Sequence, residues 1–149
     1  QRRTLLSPWP ASPLNSAEPK HALSIPSPPH ELSDDAKVEW GRVADRLYRA
    51  GTLTEVDRAA LGAYCQAYGR WIHAERTLAK MAENDKATGG LLIKTSNGNA
   101  IQNPLVGIAN KAAADMVRYA AEFGMTPSAR SRIKAEGAPN EDEADQFFA

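Results

Sequence analysis

Nothing between Glu55 and Glu83 demands a break in the chain, and this stretch limits the possible fold more than any other feature. It holds no proline, and Gly62 and Gly69 weaken a helix without ending it. Leu61, Tyr64, Tyr68, Trp71, Ile72 and Leu78 give it one broad apolar face. As a single helix it reaches about 43 Å at roughly 1.5 Å per residue. A unit of this size does not need so long a helix, so part of the apolar face is expected to lie under a partner subunit. The alternative is a kinked pair of ordinary helices.

The flanking sequence supplies shorter elements with clear ends. Ser33 is placed to cap a first helix, with Asp34 and Asp35 where the helix dipole favours negative charge. Ala36, Trp40, Val43 and Leu47 form its apolar stripe, and Gly51 ends it as the left-handed residue after the cap. Thr54 with Asp57 makes an approximate capping box for the long helix. After Gly89-Gly90, two short β-prone runs, Leu91–Thr95 and Ala100–Gln102, enclose Ser96-Asn97-Gly98-Asn99. Asn-Gly at that place predicts a hairpin with a type I′ turn. Pro104 opens a third helix to Phe123, lined on one side by Leu105, Ile108, Ala109, Ala112, Met116 and Ala120. Gly124 stops it, and Thr126-Pro127 starts a short helix bearing Arg130, Arg132, Ile133 and Lys134. The expected fold is mainly α: a helical core of long antiparallel helices with one small β-hairpin.

Composition divides the 149 residues into three parts. Residues 1–30 carry seven of the ten prolines, which cannot build a helix, and read as an extended arm with Arg2 and Arg3 near its start. Residues 31–135 form the folded part. Residues 136–149 make an acidic tail with five carboxylates and no basic residue, bearing Phe147 and Phe148. Basic and acidic residues balance at 18 each, so any nucleic-acid surface must be local. Residues 105–135 carry a net +3 against −5 in the tail. The single cysteine, Cys65, permits no intrachain disulfide and fits a reducing compartment. The two early arginines precede no apolar stretch, so no secretory signal is read, and no run is long enough for a membrane span.

No residues form a recognisable catalytic set. His21 and His30 lie in the proline-rich arm, and His73 has no partner at metal-ligand spacing. Neither Gly89-Gly90 nor Gly98 belongs to a phosphate-binding loop with its lysine. Asp34, Asp35 and Asp57 sit where helix caps need them. Hence no catalytic residue, metal or cofactor is assigned.

Several segments taken in order carry a family resemblance. They are Leu32-Ser33 before the Trp40 helix, Gly51-Thr52-Leu53-Thr54 before Asp57, and the aromatic helix of Tyr64, Tyr68 and Trp71. Gln102-Asn103-Pro104-Leu105 and Phe123-Gly124-Met125-Thr126-Pro127-Ser128-Ala129-Arg130 follow and are the most specific. Together they resemble the small terminase subunit of tailed, cohesive-end bacteriophages, over residues 31–135. The resemblance implies a ring-shaped homo-oligomer in the cytoplasm of the infected host. It would engage double-stranded viral DNA and stimulate a large subunit that holds the ATPase and nuclease.

Under that expectation Arg130, Arg132 and Lys134 are the first DNA-contact candidates, helped by Arg2 and Arg3, with Arg42, Arg46 and Arg49 the next set. Trp40, Tyr64, Tyr68, Trp71 and Met116 are candidates for burial in or between ring subunits. Phe147 and Phe148 are candidates for docking on the large subunit. Two other readings compete. A helix-turn-helix regulator could use the two helices joined near Gly51, but Glu55-Val56-Asp57 would meet phosphates badly. A structural adaptor of the phage would bind no DNA at all.

Overall fold

Ser33 begins the first helix as its side chain suggests: Oγ accepts from the Ala36 amide at 3.3 Å. The computed structural model describes residues 21–131. Helix α1 spans Asp34–Arg49 and buries Ala36, Trp40, Val43 and Leu47, the stripe expected from spacing, together with Ala44 and Glu39. Its end is a Schellman motif. Gly51, at φ 70, donates to Tyr48 O at 2.9 Å, and Thr52 donates to Leu47 O at 3.0 Å. Residues 21–30, which composition assigns to the arm, lie along the domain. Leu23 bridges Thr54, Pro26 is fully buried, and Arg58 Nε donates to Ser27 O at 2.7 Å. Proline excluded a helix here, yet an extended strip can still hydrogen-bond sideways.

The capping box forms: Asp57 Oδ2 accepts from both the amide and the hydroxyl of Thr54 at 2.8 Å. The long helix begins slightly later than expected, because Glu55–Asp57 make one 3-10 turn first. Helix α2 then runs unbroken over Arg58–Asn84, 27 residues. Its glycines mark close approaches. A Cβ at Gly69 would stand 2.5 Å from Ser33 Oγ and 3.2 Å from Ala36 Cβ, and one at Gly62 would stand 3.1 Å from Pro29 Cγ. Glycine lets α1 and the proline strip lie directly on the α2 backbone, and Arg76 reaches Asp35 at 2.7 Å to fasten the start of α1.

Beyond α2, the Asp85 carboxylate gathers the loop. It accepts from the amides of Ala87, Thr88 and Gly90 at 3.1–3.2 Å and from the Thr88 hydroxyl. These bonds, led by that hydroxyl, hold its pKa below the ordinary value. Strands β1 (Leu92–Lys94) and β2 (Ala100–Gln102) pair antiparallel, with Ile93 opposite Ile101. The turn differs from expectation. Thr95 O accepts from Gly98 N, Thr95 N donates to Asn99 O, and only Gly98 has positive φ (82°). Three residues thus form the loop, a turn at Ser96-Asn97 followed by a left-handed bulge glycine, not a two-residue type I′ turn.

Helix α3 (Pro104–Glu122) returns antiparallel to α2. Its start is tied to the end of α2 by Asn103, which donates to Gly90 O at 2.8 Å and Met81 Sδ at 3.3 Å while its Oδ1 caps the Leu105 amide at 3.0 Å. Ala120 and Phe123, at its other end, join Trp40, Val43, Leu47, Leu53, Leu61 and Tyr64 in the main core. A second Schellman motif follows, with Gly124 at φ 67 and Met125 N bonded to Ala120 O at 3.0 Å. Thr126 then caps the single turn of α4 (Pro127–Arg130). The Asn-Pro-Leu and Gly-Met-Thr-Pro segments are thus the two joints of α3. The expected mainly helical fold with one small hairpin is what the chain adopts.

Candidate nucleic-acid interface

Helix α1 turns Arg42, Arg46 and Arg49 to solvent, one turn apart. They differ in what they already hold. Arg42 grips Glu39 with two bonds, Nε to Oε2 at 2.7 Å and Nη2 to Oε1 at 2.5 Å. Glu39 is only 2% exposed and also accepts from the Tyr64 hydroxyl at 2.8 Å, so this carboxylate is fully engaged from two helices. The bond to Glu39 holds the Arg42 guanidinium firmly protonated, above its ordinary value. Burial, with the Glu39 contact, raises the Tyr64 hydroxyl well above its own. Arg49 pairs with Asp45 at 2.9 Å. No carboxylate among the described residues pairs with Arg46.

Arg130 approaches the same place from the other end of the chain, its Nη1 donating to Met125 O at 3.3 Å. The Schellman turn at Gly124 leads into α4, which lines a cleft that α1 also lines. Arg42, Arg46 and Arg130 consequently rim one open cleft of about 490 Å³. Met116 and Val117 of α3 and Met125 supply apolar lining, and no carboxylate lines it among the described residues. Arg130 of the first sequence-read set and Arg42 and Arg46 of the second thus meet here, whereas Arg49 does not line the cleft. Arg2, Arg3, Arg132, Lys134, Phe147 and Phe148 lie outside the described residues.

The aromatic candidates divide. Trp40 (4% exposed) and Tyr64 (6%) sit in the protomer's own core. Tyr68 and Trp71 are half-buried and stack edge-to-face, ring centroids 6.1 Å apart. Met116 is half-buried against the core and faces the cleft. Cys65 is wholly buried, and burial pushes its thiol up to about 12.

A second groove, about 560 Å³, runs between α2 and α3 past Arg70, Lys111 and Asp115. Asp115 is shared between cations, and Arg70 has no ion pair among the described residues. Lys111 Nζ lies 2.7 Å from Asp115, which Arg118 also approaches, and these contacts, the Lys111 bond first, draw the Asp115 carboxyl below its ordinary value. His73 lines an adjoining hollow, and no cluster of metal-ligating side chains occurs among the described residues. Sequence reasoning missed the Glu39–Arg42–Tyr64 group. Glu39 stands three residues after Ala36 and four before Val43, on the buried face, and that periodicity was the available signal.

Among known families, one model matches residues 36–140, more than half of the chain, and its description is phage terminase, small subunit. Neither a curated protein nor a solved structure matches the chain. Among the described residues no helix is long and apolar enough to cross a membrane.

Proposed function

Because the chain belongs to the phage terminase small-subunit family, whose role lies in phage DNA packaging, we propose that it binds double-stranded viral DNA through the Arg42–Arg46–Arg130 cleft and recruits the large terminase subunit to it. The observation that carries the reading is the convergence of Arg46 and Arg130, beside the Glu39-bound Arg42, on a cleft that no carboxylate lines among the described residues, in a chain whose overall charge is zero. Phosphate contacts of this kind give affinity with little sequence preference. Small subunits of this family are generally regulatory and non-catalytic. We read this one as acting in the infected host's cytoplasm, with ATPase and nuclease in the large chain.

Copies of the chain close into a ring in this reading. Ile108 and Val117 on α3 are 48% and 58% exposed, and Leu91, Leu92 and Ile101 around the hairpin are exposed too. The hairpin pairs only within itself, which leaves strand edges open among the described residues. Closed cyclic packing covers such surface without making fibres. It also repeats the arginine cleft around one axis. Of the aromatic candidates, Tyr68 and Trp71 are the two that keep surface for a neighbour to cover. Phe147 and Phe148 are kept as the docking residues for the large subunit.

The test is a mixing experiment. Added to its large subunit and DNA, the chain is expected to raise ATP hydrolysis several-fold while hydrolysing no ATP alone. Phe147→Ala with Phe148→Ala should lower that stimulation. An unchanged hydrolysis rate on adding the chain would remove the recruitment reading.

A further inference from the structure

The arginine cleft has a second ligand within the same chain. The described part ends at Ser131, the residue after Arg130, so the remaining chain leaves from the cleft's own rim. Nine residues, 132–140, lie between Ser131 and Glu141, which makes ten Cα steps. At roughly 3.3–3.6 Å per residue they can span up to about 35 Å, ample for a return to that rim. Beyond them stand Glu141, Asp142, Glu143 and Asp145, followed by Phe147 and Phe148. The family match covers residues 36–140 and stops just before this acidic and aromatic block.

We propose that residues 141–148 fold back into the cleft of their own protomer. Their carboxylates would pair with Arg46 and Arg130, and a phenylalanine would rest on Met116, Val117 and Met125. Cleft and segment match in two independent respects. Arg46 and Arg130 at the rim have no carboxylate partner among the described residues, and the segment carries four carboxylates within five residues. Methionines line the floor, and thioether sulfur packs favourably against aromatic rings. A DNA backbone would satisfy the arginines but not the apolar floor. The tail satisfies both, so it competes with DNA phosphates for the same side chains. This competition rests on the DNA reading of the cleft; the seating of the tail does not. Release of the tail would bare the arginines and free Phe147 and Phe148 for a partner at the same moment.

A short tether holds such a segment at an effective concentration on the order of 1 mM, so an intrinsic affinity near 0.1 mM would mask the cleft about tenfold. The experiment uses the full chain with a benzophenone amino acid in place of Phe147. Photolysis should cross-link it within one chain to the peptides bearing Met116, Val117 or Met125. Arg46→Glu with Arg130→Glu should abolish that product. Cross-links elsewhere, cross-links joining two chains, or a yield indifferent to arginine reversal would each overturn the seating. DNA is titrated in parallel. Phe147→Ala with Phe148→Ala should tighten DNA binding about tenfold. If arginine reversal abolishes the cross-link yet leaves DNA binding unchanged, the tail seat stands and the DNA reading of the cleft is what fails.

Discussion

A carboxylate with 2% of its surface exposed needs partners, and Glu39 has them in Arg42 and Tyr64. Removing it leaves a buried hydroxyl and a half-exposed guanidinium without their acceptor. Glu39→Ala is expected to cost about 2–3 kcal/mol, below the roughly 3–5 kcal/mol of fully buried pairs because water screens one side of Arg42. Urea unfolding would measure it, and a loss under about 1 kcal/mol would show the group to be ornamental. The same core predicts sensitivity to alkali. Burial raises the Cys65 thiol from an ordinary 9.0 to about 12, and Tyr64 is raised as well. The unfolded chain releases these protons at lower pH than the folded one. Stability is therefore fully present below about pH 9 and falls as pH climbs toward 12. Melting temperatures across that range should decline, and Cys65→Ala should flatten the first part of the decline. At this scale the caps at Ser33, Thr54 and Thr126 and the left-handed glycines at 51 and 124 were readable, since each depends on neighbours in sequence. Glu39 was readable only in part: its spacing puts it on the buried face, but its partner Tyr64 stands in another helix.

The helices follow from spacing, and their contacts follow from something spacing does not record. A 27-residue α2 was legible because no residue in it forbids helix. That Gly62 and Gly69 are docking points for Pro29 and α1 was not, since a glycine in one helix announces nothing about what crosses it. The helix-turn-helix alternative also weakens here. Helix α2 buries Leu61, Tyr64, Cys65 and Leu78 against its neighbours, and its start carries Glu55 and Asp57, which would face phosphates badly. In the hairpin the sequence pointed to the correct glycine and the wrong turn. Asn97 keeps negative φ, and Gly98 alone takes the left-handed residue of a three-residue loop. Gly98→Val would force a branched side chain to φ 82 at a cost of about 1–2 kcal/mol. Nothing lies near a Cβ there, so the loss should fall on the hairpin and whatever it joins. Native mass spectrometry should show a weakened oligomer with a nearly unchanged protomer melt; an intact oligomer would place subunit contacts away from the hairpin.

Across the whole molecule, the cleft was only half legible. Sequence named Arg42, Arg46 and Arg130 but held them as rival surfaces, because only the fold, in which α4 lines a cleft that α1 also lines, brings them together. Likewise the long apolar stripe of α3 was visible, whereas the exposure of Ile108 and Val117 needed the packed protomer to show. The proposed DNA contact rests on the first of these features, and the proposed self-association on the second. The most direct measurement is DNA affinity against salt concentration for the unaltered chain and for Arg46→Glu with Arg130→Glu, each first shown to have the same native mass. The cleft predicts weaker binding on every DNA sequence, with the log–log salt slope shallower by about 2 for each protomer that contacts DNA, at roughly 0.9 per phosphate lost. A slope unchanged by reversing both charges would contradict it and place the DNA elsewhere on the chain.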